Sequence, residues 1–308
     1  DPKRIIVSVF ENQTGDKSLD PLGRMASDWV NQGLSKTGHV EVVSVTPGEA
    51  APGTAKEQER IRALAKESGA GTLVSGTYFL QQKILTFNPR ISDMSKGKVI
   101  KALDPVSSPV EEPLKAIETL RQKVMGVLAT ISDPKIAQLI DLSGPLPNYE
   151  AYKEYMIALE IAEQRYDMRS AIEHLSRASE LDPSFILPVL HASIAHYNLG
   201  EQTGDLNEFA KAEELAKKVD KSREALSLQD RLFLEWVKAN LRGDQAEELR
   251  LMRQLAPITG EFWKWQLALE AMNSNCPREA VETLSKLDPA GIFMKGWTAY
   301  WVGRAISH

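Results

Sequence analysis

Two similar phrases in the second half of the chain constrain its fold more than any other feature. "SAIEHLSRASELDP" at residues 170–183 and "EAVETLSKLDP" at residues 279–289 both place apolar residues at helical spacing and both end in Asp-Pro. Proline ends such a helix because it lacks an N–H and its ring clashes with the preceding turn. The recurrence predicts stacked copies of one helical unit, an architecture whose usual work is to hold a partner.

From Tyr152 onward the chain shows helical periods without the alternation that is typical of strands. We expect an all-α repeat domain over residues 150–308, with about four helix pairs and a terminal helix at 292–307 that is either a cap or a truncated repeat. Gly200 and Gly243 are predicted to form the turns inside two of the pairs, because glycine favours helix ends.

The best-defined unit resembles a tetratricopeptide repeat. With Pro183 as the last residue of a 34-residue unit, Ala171, Leu175 and Ala178 fall on the second-helix positions where small and apolar residues are typical. The resemblance implies a groove lined by the first helices, with a protein or peptide as partner. A buried interface is an equal alternative for the same side chains. The groove positions are Leu187, Leu190, Ile194, Tyr197, Phe262, Trp265, Leu269 and Met272.

The first half of the chain has a different pattern. Runs rich in β-branched and aromatic residues predict strands, and two amphipathic stretches and a third near 111–131 predict helices between and after them. The order β-α-β-α-β-β-β-α predicts a mixed sheet with helices packed on it, an α/β domain over residues 1–131. Residues 132–149 hold three prolines and a glycine and predict a linker. The predicted strands are 3–10, 40–45, 72–80, 83–91 and 98–106.

This order, together with "VSVFENQTGD" and "LVSGTYFL", resembles the TolB amino-terminal-like domain over roughly residues 3–131. The resemblance implies attachment to bacterial signalling proteins such as kinases, cyclases or transcriptional activators. The resemblance does not assign a catalytic role to any residue of this chain, because the family has no agreed catalytic residues. Combined with the repeats, it implies a non-catalytic sensor or scaffold region downstream of a serine/threonine kinase domain.

The loop "ENQTGD" suggests the alternative function. Asn12, Thr14 and Gly15 would present backbone N–H groups to an anion near a helix N-terminus, whereas Asp16 opposes anion binding. In this hypothesis the α/β domain receives a small ligand or nucleotide. The other interpretation, which these residue types favour, is a turn whose side chains satisfy the local backbone.

No set of residues indicates catalysis, a metal or a cofactor. His191 and His196 are five residues apart on one helix and point to different sides, and Cys276 precedes Pro277 without a reactive signature. The glycine-rich loop, HRD and DFG motifs of kinases are missing from these 308 residues.

Charge and hydropathy limit the remaining classes. The net charge is −5, with the acidic excess after residue 145, which disfavours nucleic-acid binding. No run of 18 apolar residues occurs, so we expect membrane attachment only through a segment outside this sequence. Since the chain begins with Asp1, we expect a fragment of a longer protein, either the extracytoplasmic part of a membrane-anchored signalling protein or a cytoplasmic one.

Overall fold

A computed structural model shows two units, Asp1–Ser132 and Asp133–His308. The predicted terminal helix at 292–307 lies outside the described residues. Within them, no helix combines the length and the apolar character that crossing a membrane requires. The structure describes residues 1–38, 40–43, 52–133, 139–140, 146–165 and 167–287.

The sheet of the first unit is mixed, as predicted. The strands are β1 (Arg4–Val7), β2 (Glu11–Asn12), β3 (Glu41–Val43), β4 (Thr72–Gln81), β5 (Ile84–Asp93), β6 (Lys98–Ala102) and β7 (Val106–Pro109). Their order in the sheet is β3-β1-β4-β5-β6, with β2 paired to β4 and β7 paired to β5. β1 is parallel to β3 and β4, whereas β5 is antiparallel to β4, β6 and β7.

Three helices accompany the sheet: α1 (Asp20–Thr37), α2 (Ala55–Ser68) and α3 (Pro113–Ser132). α1 packs against α3, and both bury the apolar stripe that their spacing predicts. The Thr54 side chain caps α2 by accepting a hydrogen bond from the Glu57 N–H at 3.3 Å, which satisfies a donor that the helix leaves free.

The predicted strand 3–10 is shorter than expected, because it breaks after Val7. Phe10 turns into the core, where it is 1% exposed and meets the Phe87 ring edge-on at 6.0 Å. Two glycines make room for it: a Cβ on Gly76 would lie 2.5 Å from the Phe10 ring, and one on Gly23 would overlap the Phe10 carbonyl oxygen. Pairing with β4 resumes at β2.

The predicted strand 98–106 is also divided, into β6 and β7. The Pro89 carbonyl in β5 accepts a hydrogen bond from the Leu103 N–H at 3.1 Å. Proline has no N–H, so β5 lacks a hydrogen-bond donor at Pro89 on the side that faces β6 and β7. β6 and β7 therefore pair with separate ends of β5.

The second unit is helical, as predicted, and consecutive helices pack against one another. The described helices are α4 (Tyr149–Arg165), α5 (Met168–Leu181), α6 (Leu187–Thr203), α7 (Leu206–Asp220), α8 (Leu228–Arg242), α9 (Gln245–Leu255), α10 (Glu261–Asn273) and α11 (Pro277–Ser285). We call the first member of each pair a first helix (α4, α6, α8, α10) and its successor a second helix.

The turns inside the pairs share a chemistry. Asp167, Asp205 and Asp244 each cap a second helix by accepting a hydrogen bond from an N–H in its first turn. Gly204 and Gly243 end α6 and α8 with positive φ, which glycine adopts without strain. A Gly-Asp dipeptide therefore marks two of these turns.

The predicted turn at Gly200 is wrong. α6 continues through Gly200 to Thr203, and the chain turns at Gly204 instead. Gly200 serves packing, because a Cβ there would lie 2.9 Å from the Phe209 ring of α7. The predicted turn at Gly243 is confirmed.

We expect Gly23→Ala to destabilise the first unit by about 2 kcal/mol, because the new methyl overlaps the rigid Phe10 carbonyl and overpacking outweighs the gain in helix propensity. Gly33→Ala is the matched control on the same helix, since its methyl would meet the end of the flexible Met125 side chain. It should stay within about 1 kcal/mol of wild type. Urea unfolding followed by circular dichroism measures both, and equal losses would contradict the role of Gly23.

Candidate functional site

One aromatic ring from each first helix joins a continuous row, which we call the aromatic ladder: Tyr155, His191, Phe233 and Trp263. Tyr155 and His191 lie 5.4 Å apart between centroids, His191 and Phe233 lie 5.2 Å apart, and Phe233 and Trp263 lie 4.7 Å apart. The last two contacts are edge-to-face, the geometry that ring quadrupoles favour. The ladder therefore links all four helix pairs.

A cleft of about 260 Å³ opens beside the ladder, and we call it the aromatic cleft. Every first helix contributes to its wall, and no Lys, Arg, Asp or Glu side chain is among the described residues that form it. The wall is formed by Leu139, Ala158, Leu159, Ala162, Met168, Ala171, Leu175, His191, Ile194, Ala195, Asn198, Phe233, Trp236, Phe262, Trp263, Trp265 and Gln266. Such a surface suits an apolar ligand.

Three of the predicted groove residues meet at the aromatic cleft. Ile194 comes from α6, and Phe262 and Trp265 come from α10. Ile194 and Phe262 are half-buried, and Trp265 is buried against Phe262 with ring centroids 6.1 Å apart. The structure thus brings residues that are about 70 positions apart in the sequence to one surface.

The other five predicted groove residues are not part of the cleft wall. Leu187 and Leu190 are buried. Tyr197 packs its ring edge-on against Phe209 of α7 at 5.5 Å, while Leu269 and Met272 pack on the apolar cluster that joins α9, α10 and α11. These positions belong to contacts between helices, which is the alternative that the sequence left open.

His191 is the polar member of the ladder. Its Nδ1 shares a hydrogen bond of 3.1 Å with the Tyr155 hydroxyl. Burial lowers the pKa of His191 to about 4, because an apolar environment disfavours the charged ring. The imidazole is therefore neutral at physiological pH and packs as an aromatic ring.

His196, five residues later, points elsewhere. Its Nδ1 lies 2.5 Å from the Glu208 carboxylate of α7, which also binds the Lys211 ammonium at 2.8 Å. The two histidines thus diverge, as predicted. Among the described residues, no three His, Cys, Asp or Glu side chains are placed to hold a metal ion.

A buried carboxyl group lies next to the cleft wall. Glu270 of α10 is 3% exposed and accepts a hydrogen bond of 2.9 Å from the Gln266 amide. Burial raises the pKa of Glu270 to about 7, and the buried Glu248 of α9 adds to the increase. The Trp236 indole N–H lies close to the Glu270 carboxyl group and partly opposes the increase of its pKa. This N–H makes no hydrogen bond of ordinary geometry with a described residue.

The predicted ligand loop is closed on itself. The Asn12 side chain donates to the Asp16 carbonyl at 2.8 Å and accepts from the Thr14 N–H at 2.9 Å. Asp16 accepts from the Ser18 N–H at 2.8 Å, and Gly15 holds a φ of 81°. These side chains are engaged in the turn itself, so the geometry favours the turn interpretation over an anion site.

Comparisons with known proteins do not assign a family. No family model matches the sequence, and no curated protein matches it. Structural similarity is found to the LpoB C-terminal domain from Escherichia coli, with a TM-score of 0.29 and 13% identity, over 35% of this chain and 82% of that chain. TolB from Acinetobacter baumannii has a TM-score of 0.29 and 15% identity, over 44% of this chain and 30% of TolB.

The LpoB C-terminal domain from Salmonella enterica gives a TM-score of 0.27 at 14% identity, over 35% of this chain and 83% of that chain. Scores at this level carry no functional argument. The function proposed below therefore depends on the geometry of the chain itself, and the TolB-like and tetratricopeptide assignments stay predictions.

Sequence reasoning missed much of the cleft. Phe233 and Trp263 of the cleft wall were not identified as site residues, nor was Leu139, which lies in the predicted linker. A signal was present, since each first helix carries an aromatic ring or histidine where the pairs face each other. It was hidden because the pairs differ in loop length, so these residues do not share one period.

The His191 ring is expected to remain neutral from pH 8 to pH 5, because its pKa is near 4. Nitrogen chemical shifts of the imidazole measure this directly, and the His191→Gln variant identifies the signal by its loss. A midpoint above pH 6 would show that the ring is solvated and charged, contrary to the packing described.

Glu270→Gln tests the buried carboxyl group. Since the folded pKa of about 7 exceeds the ordinary value of 4.5, the folded protein keeps a proton that the unfolded chain has released between these values. The contribution of Glu270 to the free energy of unfolding should therefore fall as the pH rises from 4.5 to 7. The Glu270→Gln variant has no titrating group at this position and therefore lacks this loss. Its free energy of unfolding relative to wild type should increase by about 1–3 kcal/mol between pH 5 and pH 8.

Urea unfolding at pH 5 and pH 8 measures the Glu270 effect. Glu282→Gln on α11 is the control, because Glu282 has a side chain that is 70% exposed. It should show the pH dependence of wild type. A Glu270→Gln variant with that same dependence would contradict the raised pKa.

Proposed function

We propose that this chain is a non-catalytic binding module whose helical unit, of tetratricopeptide type, holds an apolar segment of a protein partner in the aromatic cleft. The observation that carries this proposal is the wall of the cleft: all four first helices contribute to it, and its described side chains are almost entirely apolar. A groove of this composition binds a peptide by burying apolar side chains of the peptide away from water.

The size of the cleft suits one or two side chains of a peptide. A volume of about 260 Å³ is below that of most small-molecule sites, which measure roughly 300–1,000 Å³. Burial of one Leu-sized side chain contributes about 1.5–3 kcal/mol. Aromatic walls add affinity at little entropic cost, because Phe262 and Trp265 are already held by each other.

The chemistry of the wall favours binding over catalysis. Its polar side chains are His191, Asn198 and Gln266, and the low pKa of His191 leaves that ring neutral. A general acid or base needs a pKa near the working pH and access to substrate. A scaffold or sensor role in a larger protein agrees with this arrangement.

Selection of a phage-displayed library of random 12-residue peptides on the intact protein tests the proposal. We expect enriched peptides whose dissociation constant rises at least tenfold in Ile194→Glu, since a carboxylate in the cleft wall must be desolvated on binding. Ile157→Glu on α4 is the matched control, because Ile157 is 40% exposed and outside the cleft wall.

The control should bind the selected peptides as tightly as wild type does. Equal losses in both variants, or full binding by Ile194→Glu, would exclude the aromatic cleft as the peptide site. Circular dichroism of both variants shows whether the helices are retained.

A further inference from the structure

A short piece of the predicted linker contributes to the aromatic cleft. Leu139 is 2% exposed and Ile140 is 6% exposed, and both lie in a turn or bend with no helix or strand of their own. Leu139 is part of the same wall as residues of α4, α5, α6, α8 and α10. An aliphatic side chain from outside the helices therefore forms part of the cleft wall.

The backbone of this piece is recognised as well. The Gln229 side-chain amide on α8 donates a hydrogen bond of 2.8 Å to the Leu139 carbonyl, 90 residues away in sequence. Peptide-binding sites combine a hydrogen bond to the main chain of the ligand with a pocket for its side chain. Leu139 therefore contacts the helical unit in two ways, through its buried side chain and through its main-chain carbonyl.

The helical unit also holds the chain on either side of Leu139. The Asp133 carboxylate accepts a hydrogen bond from the Tyr152 hydroxyl of α4 at 2.9 Å. The Asn148 side chain donates to the Leu181 carbonyl at the end of α5, at 2.8 Å. With both ends fixed, the local concentration of Leu139 at the cleft is high, on the order of millimolar for a short tether.

We propose that Leu139, with its carbonyl on Gln229, is an intramolecular ligand at the wall of the aromatic cleft, and that the cleft accepts leucine-bearing segments of a partner at this position by the same two contacts. The identity of the partner segment rests on the function proposed above, whereas the intramolecular contact does not. A partner segment that uses the Gln229 contact must displace Leu139, so the apparent affinity of the cleft for such a segment is reduced in proportion to the fraction of molecules in which Leu139 occupies this position.

The test uses a fluorescein-labelled peptide with the sequence of residues 134–145, PKIAQLIDLSGP, added to the intact protein. Fluorescence anisotropy should show that Leu139→Ala binds this peptide at least tenfold more tightly than wild type, because the variant has lost its own ligand. A control peptide with alanine in place of its leucine at position 139 should bind at least tenfold more weakly to Leu139→Ala. Gln229→Ala in the Leu139→Ala background should weaken binding about fivefold, the effect of one hydrogen bond.

Equal affinity of wild type and Leu139→Ala, no binding to either, or equal binding of the two peptides overturns the proposal. If Leu139→Ala does not fold alone, the peptide with leucine should restore its helical circular dichroism, and the milder Leu139→Val should rank between it and wild type. Failure of both also overturns the proposal.

The two proposals fail separately. If Leu139→Ala takes up the linker peptide while Ile194→Glu still binds the selected library peptides, the intramolecular contact stands and the partner site lies elsewhere. If library peptides need Ile194 but bind wild type and Leu139→Ala equally, the partner site stands and Leu139 does not compete.

Discussion

The aromatic ladder is the interaction on which the helical unit depends. A helix pair cannot bury its apolar face alone, so each pair needs a neighbour. Tyr155, His191, Phe233 and Trp263 supply one ring per first helix, and each ring contacts the next at 4.7–5.4 Å. Their spacing sets how closely the first helices approach, and the aromatic cleft is the space left beside them.

This arrangement shifts the pKa values of two polar groups near the cleft in the direction that favours their uncharged forms. Burial lowers the pKa of His191 to about 4, so its ring is uncharged near neutral pH, and it raises the pKa of Glu270 to about 7, so its carboxyl group is only partly ionised there. A charged ring or carboxylate would attract water into the space that an apolar ligand would fill. Leu139 belongs to the wall of that space, where its side chain is buried and its carbonyl is paired with Gln229.

The first unit shows how packing overrides a pattern that reads as one strand. Residues 3–10 have the composition of a continuous buried strand, yet Phe10 leaves the β-sheet pairing and fills the core between the sheet and α1. Gly23 and Gly76 permit this approach because they lack a Cβ. Similarly, Pro89 divides the edge into β6 and β7, since a proline cannot donate to the pairing strand.

The sequence by itself determined the fold class of both units, the mixed sheet, the helix periods and the turn at Gly243, because periodicity, glycine and proline act over a few residues. It predicted a groove that includes Ile194, Phe262 and Trp265, which the structure brings together in the cleft wall. Only the tertiary structure decided that Leu187, Leu190, Tyr197, Leu269 and Met272 lie outside the cleft wall, that Gly200 lies within a helix, and that Leu139 is at the cleft. Those outcomes depend on how helices of unequal spacing stack. The stacking is determined by contacts between residues that are tens of positions apart, and a local sequence pattern does not contain this information.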